Sequence, residues 1–311
     1  MQMVSAYLDQ LLPAFIMLCY AYGLLLVTWP VFLLLEKLSP VNSDIRGSHF
    51  WFNWKITFSN WLITPAFSAL VVAFSLFVAQ SIGAPVFAYP AIDIGLGVPA
   101  IDLALNALVL LFVSCFLADF WYYWWHRLQH KLPFLWELHK LHHSDETLNT
   151  TSIYRSHFLE LAGQALIRGL SVGLIFDLSS PPQTMLAILV AGLLPPVWDF
   201  FIHANVRYDW LHRLLPYFST PQYHWIHHSR LPQHQDTNFA IWLPLFDKVF
   251  GSYYHPAVDE YPPTGLSSGE KIDTVWEAQV GPLKAWWQML TGSKAQLTAV
   301  GADPASAESS K

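Results

Sequence analysis

Cysteine is nearly absent from this sequence. The chain contains only Cys19 and Cys115, and each lies inside an apolar run. Two isolated cysteines exclude a disulfide framework, a CxxC redox pair and a thiolate-rich metal site. We interpret both as small apolar packing residues. A metal site in this chain must therefore use nitrogen and oxygen ligands.

Charged residues are also scarce. They make up 12% of the 311 residues, whereas a soluble domain usually carries about a quarter. Apolar residues account for 54%, with 15 Trp and 21 Phe, and the mean hydropathy is +0.34. This composition predicts a multi-pass membrane protein. The net charge of -6 gives no reason to expect nucleic acid as a partner.

Several common active-site signatures are missing. The sequence has no HExxH, GxSxG or GxxxxGK[ST] motif, and Gly95 and Gly97 do not complete a GxGxxG. No flavin, nicotinamide or haem site is therefore visible, and a redox reaction would take its electrons from another protein. The N-terminus also lacks the positive region of a signal peptide. We expect its apolar stretch to be a retained membrane segment.

Long uncharged segments predict an all-α fold, a multi-pass transmembrane helical bundle with about four to five membrane segments. A helix needs about 20 apolar residues to cross a bilayer. The predicted spans are Leu11 to Leu35, about Trp61 to Ile82, and a third whose apolar body is Leu103 to Ala118. Leu161 to Phe176 and Pro182 to Ile202 are either two further spans or a shallower helical hairpin.

The positive charges predict the orientation of these segments. Lys and Arg follow the first and third spans, at positions such as Lys37, Arg46, Arg127 and Lys131, and are absent from residues 82–99 and 179–184. Loops rich in Lys and Arg face the cytoplasm. We therefore expect a cytoplasmic, histidine-rich helical cap on the membrane bundle.

Three regions are predicted. Residues 1–100 hold N-terminal transmembrane helices, residues 101–260 form the catalytic domain, and residues 261–311 contain a C-terminal interfacial helix and a disordered tail. Thr274 to Leu290, with its tryptophans among charges, fits an amphipathic helix on the membrane surface or an ordinary packed helix. The tail, Ala295 to Lys311, is rich in Ala and Ser and is predicted to be disordered.

Eight of the fourteen histidines lie in three clusters. Histidines at i, i+3 and i+4 lie on one side of a helix, and imidazole is the commonest side-chain metal ligand. Eight clustered ligands exceed what one ion needs, so we predict two metal ions. The clustered residues are His126 and His130, then His139, His142 and His143, then His224, His227 and His228.

Metal-bound histidines usually donate their second ring nitrogen to a carboxylate or a carbonyl. Asp119 lies seven residues before His126, and Asp199 lies four residues before His203. Glu137, Glu160 and Asp236 are also near the clusters in sequence. Each of these carboxylates fits equally well with a helix cap or a solvent-facing position.

The histidine motifs resemble those of a known family. DFWYYWWHRLQH, LHKLHHS, RSHFLE, FIHANV and TPQYHWIHHSRLPQHQDTNFAIWLPLFDKVFGSYY together are similar to the fatty acid hydroxylase / sterol desaturase superfamily of membrane di-iron oxygenases. The resemblance runs from about Leu103 to Tyr254. It implies a helical membrane bundle whose cytoplasmic cap holds an all-histidine di-metal centre that activates O2.

The resemblance also implies a ligand set. The eight clustered histidines would bind the metals, and His203 in FIHANV matches an additional histidine that the family places before its last cluster. Some members carry a second histidine shortly afterwards, whereas this chain reads ANVRYDW. Water, His157 or His234 would then complete the coordination. No catalytic side chain beyond the metal centre is predicted.

The implied reaction is hydroxylation of an unactivated C–H bond of a fatty acyl or sterol-like lipid. It would use two Fe ions, O2 as co-substrate, and electrons from a ferredoxin- or cytochrome b5-type donor. Because imidazole also binds zinc, the purified protein would be able to carry Zn. We expect an integral multi-pass membrane protein, and a bacterial inner membrane is favoured over the ER as its location.

Four alternatives remain open from the sequence. A desaturase and an ether-lipid or sterol oxidase would use the same ligands. A zinc-dependent membrane hydrolase would need about three histidines and a Glu base, which leaves most of the clusters unexplained. A metal transporter would be expected to carry histidines inside its spans.

Overall fold

The computed structural model describes residues 26–43, 49–82, 98–175 and 197–292, together with positions 5, 16, 19 and 23. Most of the predicted first span, the segment from Pro182 to residue 196, and the tail from Ala295 lie outside the described residues. The fold is given below for the described ranges only.

The regular elements of the described residues are helices, which confirms the all-α prediction. These residues contain no β-strand, only one isolated antiparallel bridge between Ser229 and Thr264. The α-helices are α1 (26–38), α2 (Phe50–Ser81), α3 (Pro99–Lys131), α4 (Pro133–His143), α5 (Phe158–Ile175), α6 (197–203), α7 (Pro221–His227), α8 (Leu245–Phe250) and α9 (Val275–Thr291). Short 3-10 helices span Thr150–Tyr154, Asp209–Leu214 and Pro232–His234.

The junction between α3 and α4 places two histidine clusters side by side. Leu132 has an extended backbone and separates the two helices, and Pro133 occupies the first turn of α4. A proline has no N–H and its ring disfavours a helical residue before it, so α3 cannot continue through this point. The chain therefore restarts as α4 directly after the last turn of α3, which carries His130.

Helix packing brings distant parts of the chain onto this junction. The α2 helix packs on α5, α3 packs on α4 and α5, and α9 packs on α4 and α2. At the contact between α3 and α5, a Cβ added at Gly163 would lie 2.6 Å from the ring of Trp125. The absence of a side chain at Gly163 therefore allows α5 to approach α3 next to His126.

A buried arginine fixes the end of α4. The guanidinium of Arg155 donates hydrogen bonds to the carbonyl oxygens of Leu141 (3.1 Å) and Ile272 (3.1 Å) and to the side chain of Asn53 (3.1 Å). The last carbonyls of a helix have no partner within the helix. Arg155 satisfies one of them and ties α4 to α2 and to the segment before α9.

The carboxylate of Asp145 supports the same region. It accepts hydrogen bonds from Asn53 (2.8 Å) and Ser152 (2.7 Å), and one of its oxygens lies 3.2 Å from Nδ1 of His49. Burial alone would raise the pKa of Asp145, but the hydrogen bond with His49 and the charge of Arg155 lower it well below its usual range. Asp145 is therefore an ionised, buried carboxylate that holds the segment just after α4 against α2.

One helix in the described part of the chain is long and apolar enough to cross a membrane. It is Ala104–Lys131, within α3, with a mean hydropathy of 1.9 and only 13% of its most apolar window buried. Ile101, Leu108 and Phe112 are exposed along α3. The exposed apolar surface agrees with the predicted third span.

The α9 helix is present where the sequence predicted a helix over Thr274 to Leu290. Its first turn is capped by Thr274, whose hydroxyl accepts from the N–H of Glu277. Trp286 stacks on Phe134 with ring centroids 3.9 Å apart, while Trp276 and Trp287 are exposed. One side of α9 therefore packs against α4, and another side is free of contacts within the described residues.

Candidate metal centre

Nine buried histidines converge into two adjacent groups. Within each group, one potential ligand atom from every residue lies within 4.8 Å of the others. We call the two groups site 1 and site 2. Site 1 comprises His126, His130, His139, His143 and His227, and site 2 comprises His142, His203, His224 and His228. These are the nine residues that the sequence and the resemblance selected as ligands.

Helical geometry divides each HxxHH cluster between the two sites. On α4, His139 and His143 are four residues apart and belong to site 1, whereas His142 belongs to site 2. Residues at i and i+4 lie nearly above one another on a helix. The residue at i+3 points to one side of this pair. At α7 the same rule places His224 and His228 in site 2 and sends His227 to site 1.

Imidazoles of the two sites contact each other. The imidazoles of His143 (site 1) and His228 (site 2) stack with centroids 4.4 Å apart. The ring centroids of His139 (site 1) and His142 (site 2) are 5.4 Å apart. The nine residues therefore form one continuous centre with two positions for a cation.

In site 1, the Nε2 atoms of two ligands face each other. His126 directs Nδ1 to the carbonyl of Phe239 (2.7 Å), and His139 directs Nδ1 to the carboxylate of Glu160 (2.7 Å). Nδ1 of His126 must bear a proton to contact a carbonyl, and Nδ1 of His139 bears one when Glu160 is ionised, so each Nε2 then presents a lone pair. These two Nε2 atoms are 3.1 Å apart. Two buried lone pairs at this distance repel unless a cation lies between them.

The spacing of the ring nitrogens also fits metal coordination. Neighbouring Nε2 atoms in site 2 are separated by 3.2 Å (His142 and His203), 2.9 Å (His203 and His224) and 3.0 Å (His224 and His228). Imidazole nitrogens bound to an ion at about 2.0–2.1 Å in tetrahedral geometry lie roughly 3.3 Å apart. The donor set present in both sites thus fits metal ions that accept nitrogen ligands.

Burial keeps these imidazoles neutral. It lowers the pKa of His139, His142, His143, His224, His227 and His228 well below the usual value, and the neighbouring imidazoles mostly act in the same direction. Burial likewise lowers the pKa of His203 to about 4. A neutral imidazole is the form that binds a metal.

Backbone and carboxylate oxygens orient the ligands from outside. Besides the partners of His126 and His139, the carbonyl of Thr237 lies 2.8 Å from Nδ1 of His227. The carbonyl of Asp199 lies 2.7 Å from Nδ1 of His203. Such contacts fix the tautomer and direct Nε2 toward the metal. Among the carboxylates considered from the sequence, Glu160 makes the direct contact with a ligand.

Asp119 and Asp236 have different surroundings. The carboxylate of Asp119 accepts hydrogen bonds from the N–H groups of residues 241–243 (2.7–3.1 Å), so it caps the turn before α8. A carboxylate oxygen of Asp236 is 3.8 Å from Nδ1 of His130, and the other pairs with Lys131. Asp236 is therefore near a ligand but beyond hydrogen-bonding distance.

The structure places the two candidate additional ligands outside both sites. His157 lies 3.0 Å from the carbonyl of Gln279 through Nε2 and accepts from the N–H of Leu159 through Nδ1. His234 contacts the hydroxyl of Ser229 (2.9 Å) and the carboxylate of Glu260 (3.0 Å). Both ring nitrogens of each histidine are thus engaged with other groups.

One pocket opens on site 1, and a separate apolar cavity is lined in part by a residue of α6. A small polar pocket of about 30 Å³ is lined by His130, His143 and His227 of site 1, together with Ser229 and Asp236. An apolar cavity of about 360 Å³ lies among α1, α2, the Thr150–Tyr154 segment and α6. Its lining includes Trp29, Trp54, Trp61, Thr57 and Phe200. Phe200 lies on α6, three residues before His203 of site 2.

Comparisons with known proteins agree with this geometry. The family model "Fatty acid hydroxylase" matches residues 111–252. Alkylglycerol monooxygenase of Caenorhabditis elegans is 31% identical over 155 residues, which cover 50% of this chain and 29% of that protein. An ornithine lipid hydroxylase of Rhizobium tropici is 30% identical over 142 residues (45% and 40%). Human cholesterol 25-hydroxylase is 29% identical over 140 residues (44% and 48%).

The similarity is confined to part of each relative. The chain matches about three tenths of the alkylglycerol monooxygenase and less than half of the other two proteins. No solved structure gives a significant match. The matched region nevertheless contains all nine histidines of the two sites. The chain therefore carries a fatty acid hydroxylase domain over residues 111–252.

Proposed function

We propose that this protein is a membrane oxygenase that hydroxylates an unactivated C–H bond of a lipid. The reaction would consume O2, two protons and two electrons, and would give an alcohol and one water. The observation that carries the proposal is the division of nine buried histidines into two adjacent sites whose nitrogens lie about 3 Å apart. The three relatives described above are named as monooxygenases or hydroxylases of lipids, which supports a lipid substrate.

Iron is the proposed metal in both sites, held by the nine histidines. Bound iron would supply the capacity to reduce O2 and to oxidise the C–H bond. All-nitrogen sites also accept zinc and copper, so zinc in a purified sample would not contradict this proposal. The electrons would come from a separate one-electron carrier of the ferredoxin or cytochrome b5 type.

The protein's own residues prepare the centre. Glu160 and the carbonyls of Phe239, Thr237 and Asp199 hold four imidazoles with Nε2 directed inward. Arg155 and Asp145 hold the end of α4, where His142 and His143 lie. A rigid ligand set reduces the rearrangement needed during reaction. The surrounding burial excludes bulk water from the nitrogens.

The apolar cavity would bind the hydrocarbon part of the substrate. A volume of about 360 Å³ lies within the range of roughly 300–1,000 Å³ that is typical of ligand pockets. Aromatic and aliphatic groups dominate its lining. One lining residue, Phe200, lies on α6, the helix that carries His203. A hydrocarbon chain in this cavity would approach the centre from the side of site 2.

We also propose that the protein spans the membrane several times, with the centre at the cytoplasmic face. His126 and His130 lie near the end of the candidate span Ala104–Lys131, so the metal centre would lie at one end of this span. The arrangement of Lys and Arg supports the cytoplasmic side. A bacterial inner membrane is the proposed location, and the limits of the three regions, 1–100, 101–260 and 261–311, are likewise proposals.

Lipid profiling would test this function directly. Cells expressing the protein would be compared with cells expressing His142→Ala, and with cells expressing His255→Ala as a control at an exposed histidine. We expect an oxygenated lipid, labelled by 18O2, that His142→Ala abolishes and His255→Ala retains. Metal analysis after anaerobic purification should find about two iron ions per chain. Full activity of His142→Ala, or product formation without O2, would contradict the proposal.

A further inference from the structure

The α9 helix exposes a row of large apolar side chains. Trp276, Leu283, Trp287 and Leu290 are all exposed, with 68% of Trp287 and 83% of Leu290 accessible to solvent. Their spacing of seven, four and three residues places them on one side of the helix. We call these four residues the apolar strip. Within the described ranges, no other element covers it.

A polar strip runs beside the apolar strip. It consists of Glu277, Lys284 and Gln288, which are also exposed, and each follows a member of the apolar strip by one residue. Successive residues of an α-helix are turned by about 100°, so the two strips point in different directions. Apolar and polar sides arranged in this way are typical of a helix that lies in the interface between water and a bilayer.

Contacts of α9 with two other helices fix its level relative to the predicted spans. The side-chain amide of Gln279 donates to the side-chain oxygen of Asn60 (2.9 Å), and Asn60 directly precedes the predicted second span. The indole N–H of Trp286 donates to the carbonyl of Phe134 (2.8 Å). Phe134 follows the end of the candidate span Ala104–Lys131 by three residues. Both contacts place α9 beside the ends of segments that are expected to cross the membrane.

Exposed apolar side chains lead from the candidate span to α9. Leu128, Leu132 and Phe134, at the end of α3 and the start of α4, are 42–49% exposed. The ring of Phe134 stacks on Trp286 with centroids 3.9 Å apart. The surface that a bilayer would cover on α3 therefore continues to α9, which favours lipid as the occupant of the apolar strip.

We propose that the apolar strip of α9 inserts into the cytoplasmic interface of the bilayer, so that the helix lies along the membrane surface. This inference rests on the proposed membrane location and is independent of the oxygenase reaction. Tryptophan rings favour the interfacial region, and the strip contains two of them. The polar strip carries one acid and one base, Glu277 and Lys284. Burial of apolar surface therefore drives the contact, and anionic lipids are not required.

The depth of single positions in the full-length protein tests this contact. Trp287→Cys and Gln288→Cys are made in a chain that carries Cys19→Ala and Cys115→Ala. Each is labelled with an environment-sensitive dye and reconstituted in phosphatidylcholine nanodiscs. Interfacial helices bury their apolar side by about 5–10 Å. We expect the dye at position 287 to emit at shorter wavelength and to be quenched by lipids spin-labelled just below the headgroups.

The neighbouring position 288 is the matched control, because it lies on the polar strip. Its dye should be quenched more by iodide in water and less by the spin-labelled lipids. Adding phosphatidylserine should leave both results unchanged. Equal quenching of the two positions by iodide, or a requirement for phosphatidylserine at position 287, would overturn the proposal. Shielding of position 287 from both quenchers would also overturn it, because protein and not lipid would then cover the strip.

A third label separates this proposal from the proposed membrane location. Phe112→Cys lies on the exposed side of α3, within the candidate span, and deeply placed spin labels should quench its dye. If no lipid label quenches either position 112 or position 287, the membrane location fails and the α9 contact fails with it. If position 112 is quenched while position 287 stays open to iodide, only the α9 contact fails. Neither signal depends on lipid oxidation.

Discussion

Glu160 and His139 are 21 residues apart in sequence and form a buried contact of 2.7 Å between a carboxylate oxygen and Nδ1. The amide of Gln129, on α3, donates to the same carboxylate oxygen (3.1 Å). Glu160 lies in the first turn of α5, whereas His139 lies on α4. One carboxylate therefore joins three helices and sets the direction of a site 1 ligand.

Replacing this carboxylate should weaken metal binding. Burial raises the pKa of Glu160 to about 8, and a cation bound by His139 would favour the ionised carboxylate. Glu160→Gln keeps the size of the side chain but removes this carboxylate, the group that would make His139 a more basic ligand. Losing an outer partner of this kind typically costs 10–100-fold in metal affinity, and we expect a loss in this range at site 1. Titration of the metal-free protein with zinc would measure it. Glu270→Gln, at an exposed carboxylate that pairs with Lys140, is the control and should bind zinc normally.

The contact between Gly163 and Trp125 predicts a second effect. Gly163→Ala would place a methyl group 2.6 Å from the Trp125 ring, so α5 must move away from α3. Overpacking of this kind costs about 1–3 kcal/mol, and Glu160 lies one turn away on the same helix. We expect a lower thermal unfolding temperature and less bound metal. Gly281→Ala, with no atom within 4 Å of the added group, should not lower either quantity.

Arg155 should be irreplaceable at the end of α4. Arg155→Met removes a buried charge together with its hydrogen bonds to Leu141, Asn53 and Ile272, and it leaves Asp145 without a nearby cation. Removing one member of a buried charged network typically destabilises a protein by about 3–5 kcal/mol. Arg213→Met, at an exposed position, is the control. Equal unfolding temperatures for the two variants would contradict this role.

The sequence allowed the ligands to be predicted but not their distribution. Helical spacing and the family resemblance together identified nine histidines, because cluster motifs are local and short. Helical spacing separates His142 from His143, but which histidines of α6 and α7 join each of them depends on how α4 packs against helices more than fifty residues away. No local pattern contains that information.

The supporting residues were the hardest to foresee. Arg155 and Asn53 are buried and act through partners far away in the sequence. Asp119 was a reasonable candidate because it lies two helical turns before His126, yet its carboxylate caps residues 241–243. Spacing shows which residues share a helix face, but only packing determines what that face contacts.

Acidification should release the metal. The ordinary histidine pKa is 6.5, and burial lowers the pKa of His203 to about 4. Between these values the folded imidazole stays neutral and keeps its lone pair, whereas the unfolded imidazole binds a proton. Stability is therefore greatest above pH 6.5 and falls as the pH decreases toward 4. Dialysis at stepped pH, followed by metal analysis, should show metal retained at pH 7 and lost as the pH falls toward 4. Metal retained unchanged at pH 4 would contradict this reasoning.

The apolar cavity provides the sharpest test of substrate binding. Gly23 lines this cavity and has no atom within 4 Å of an added Cβ, so Gly23→Trp would fill space that the hydrocarbon chain needs. One methylene in an apolar pocket is worth about 1–3 kcal/mol, or roughly 10–200-fold in specificity, and an indole displaces several methylenes. We expect kcat/KM to fall at least tenfold for long-chain lipids, with metal content unchanged.

Gly281→Trp is the matched control, because Gly281 also has open space around its Cβ but lies on α9, outside the lining of the cavity. The comparison separates loss of cavity space from the general effect of a new tryptophan. The loss for Gly23→Trp should grow with chain length, because a longer chain extends further into the occupied space. An equal loss in both variants, or a loss independent of chain length, would show that the hydrocarbon chain binds elsewhere.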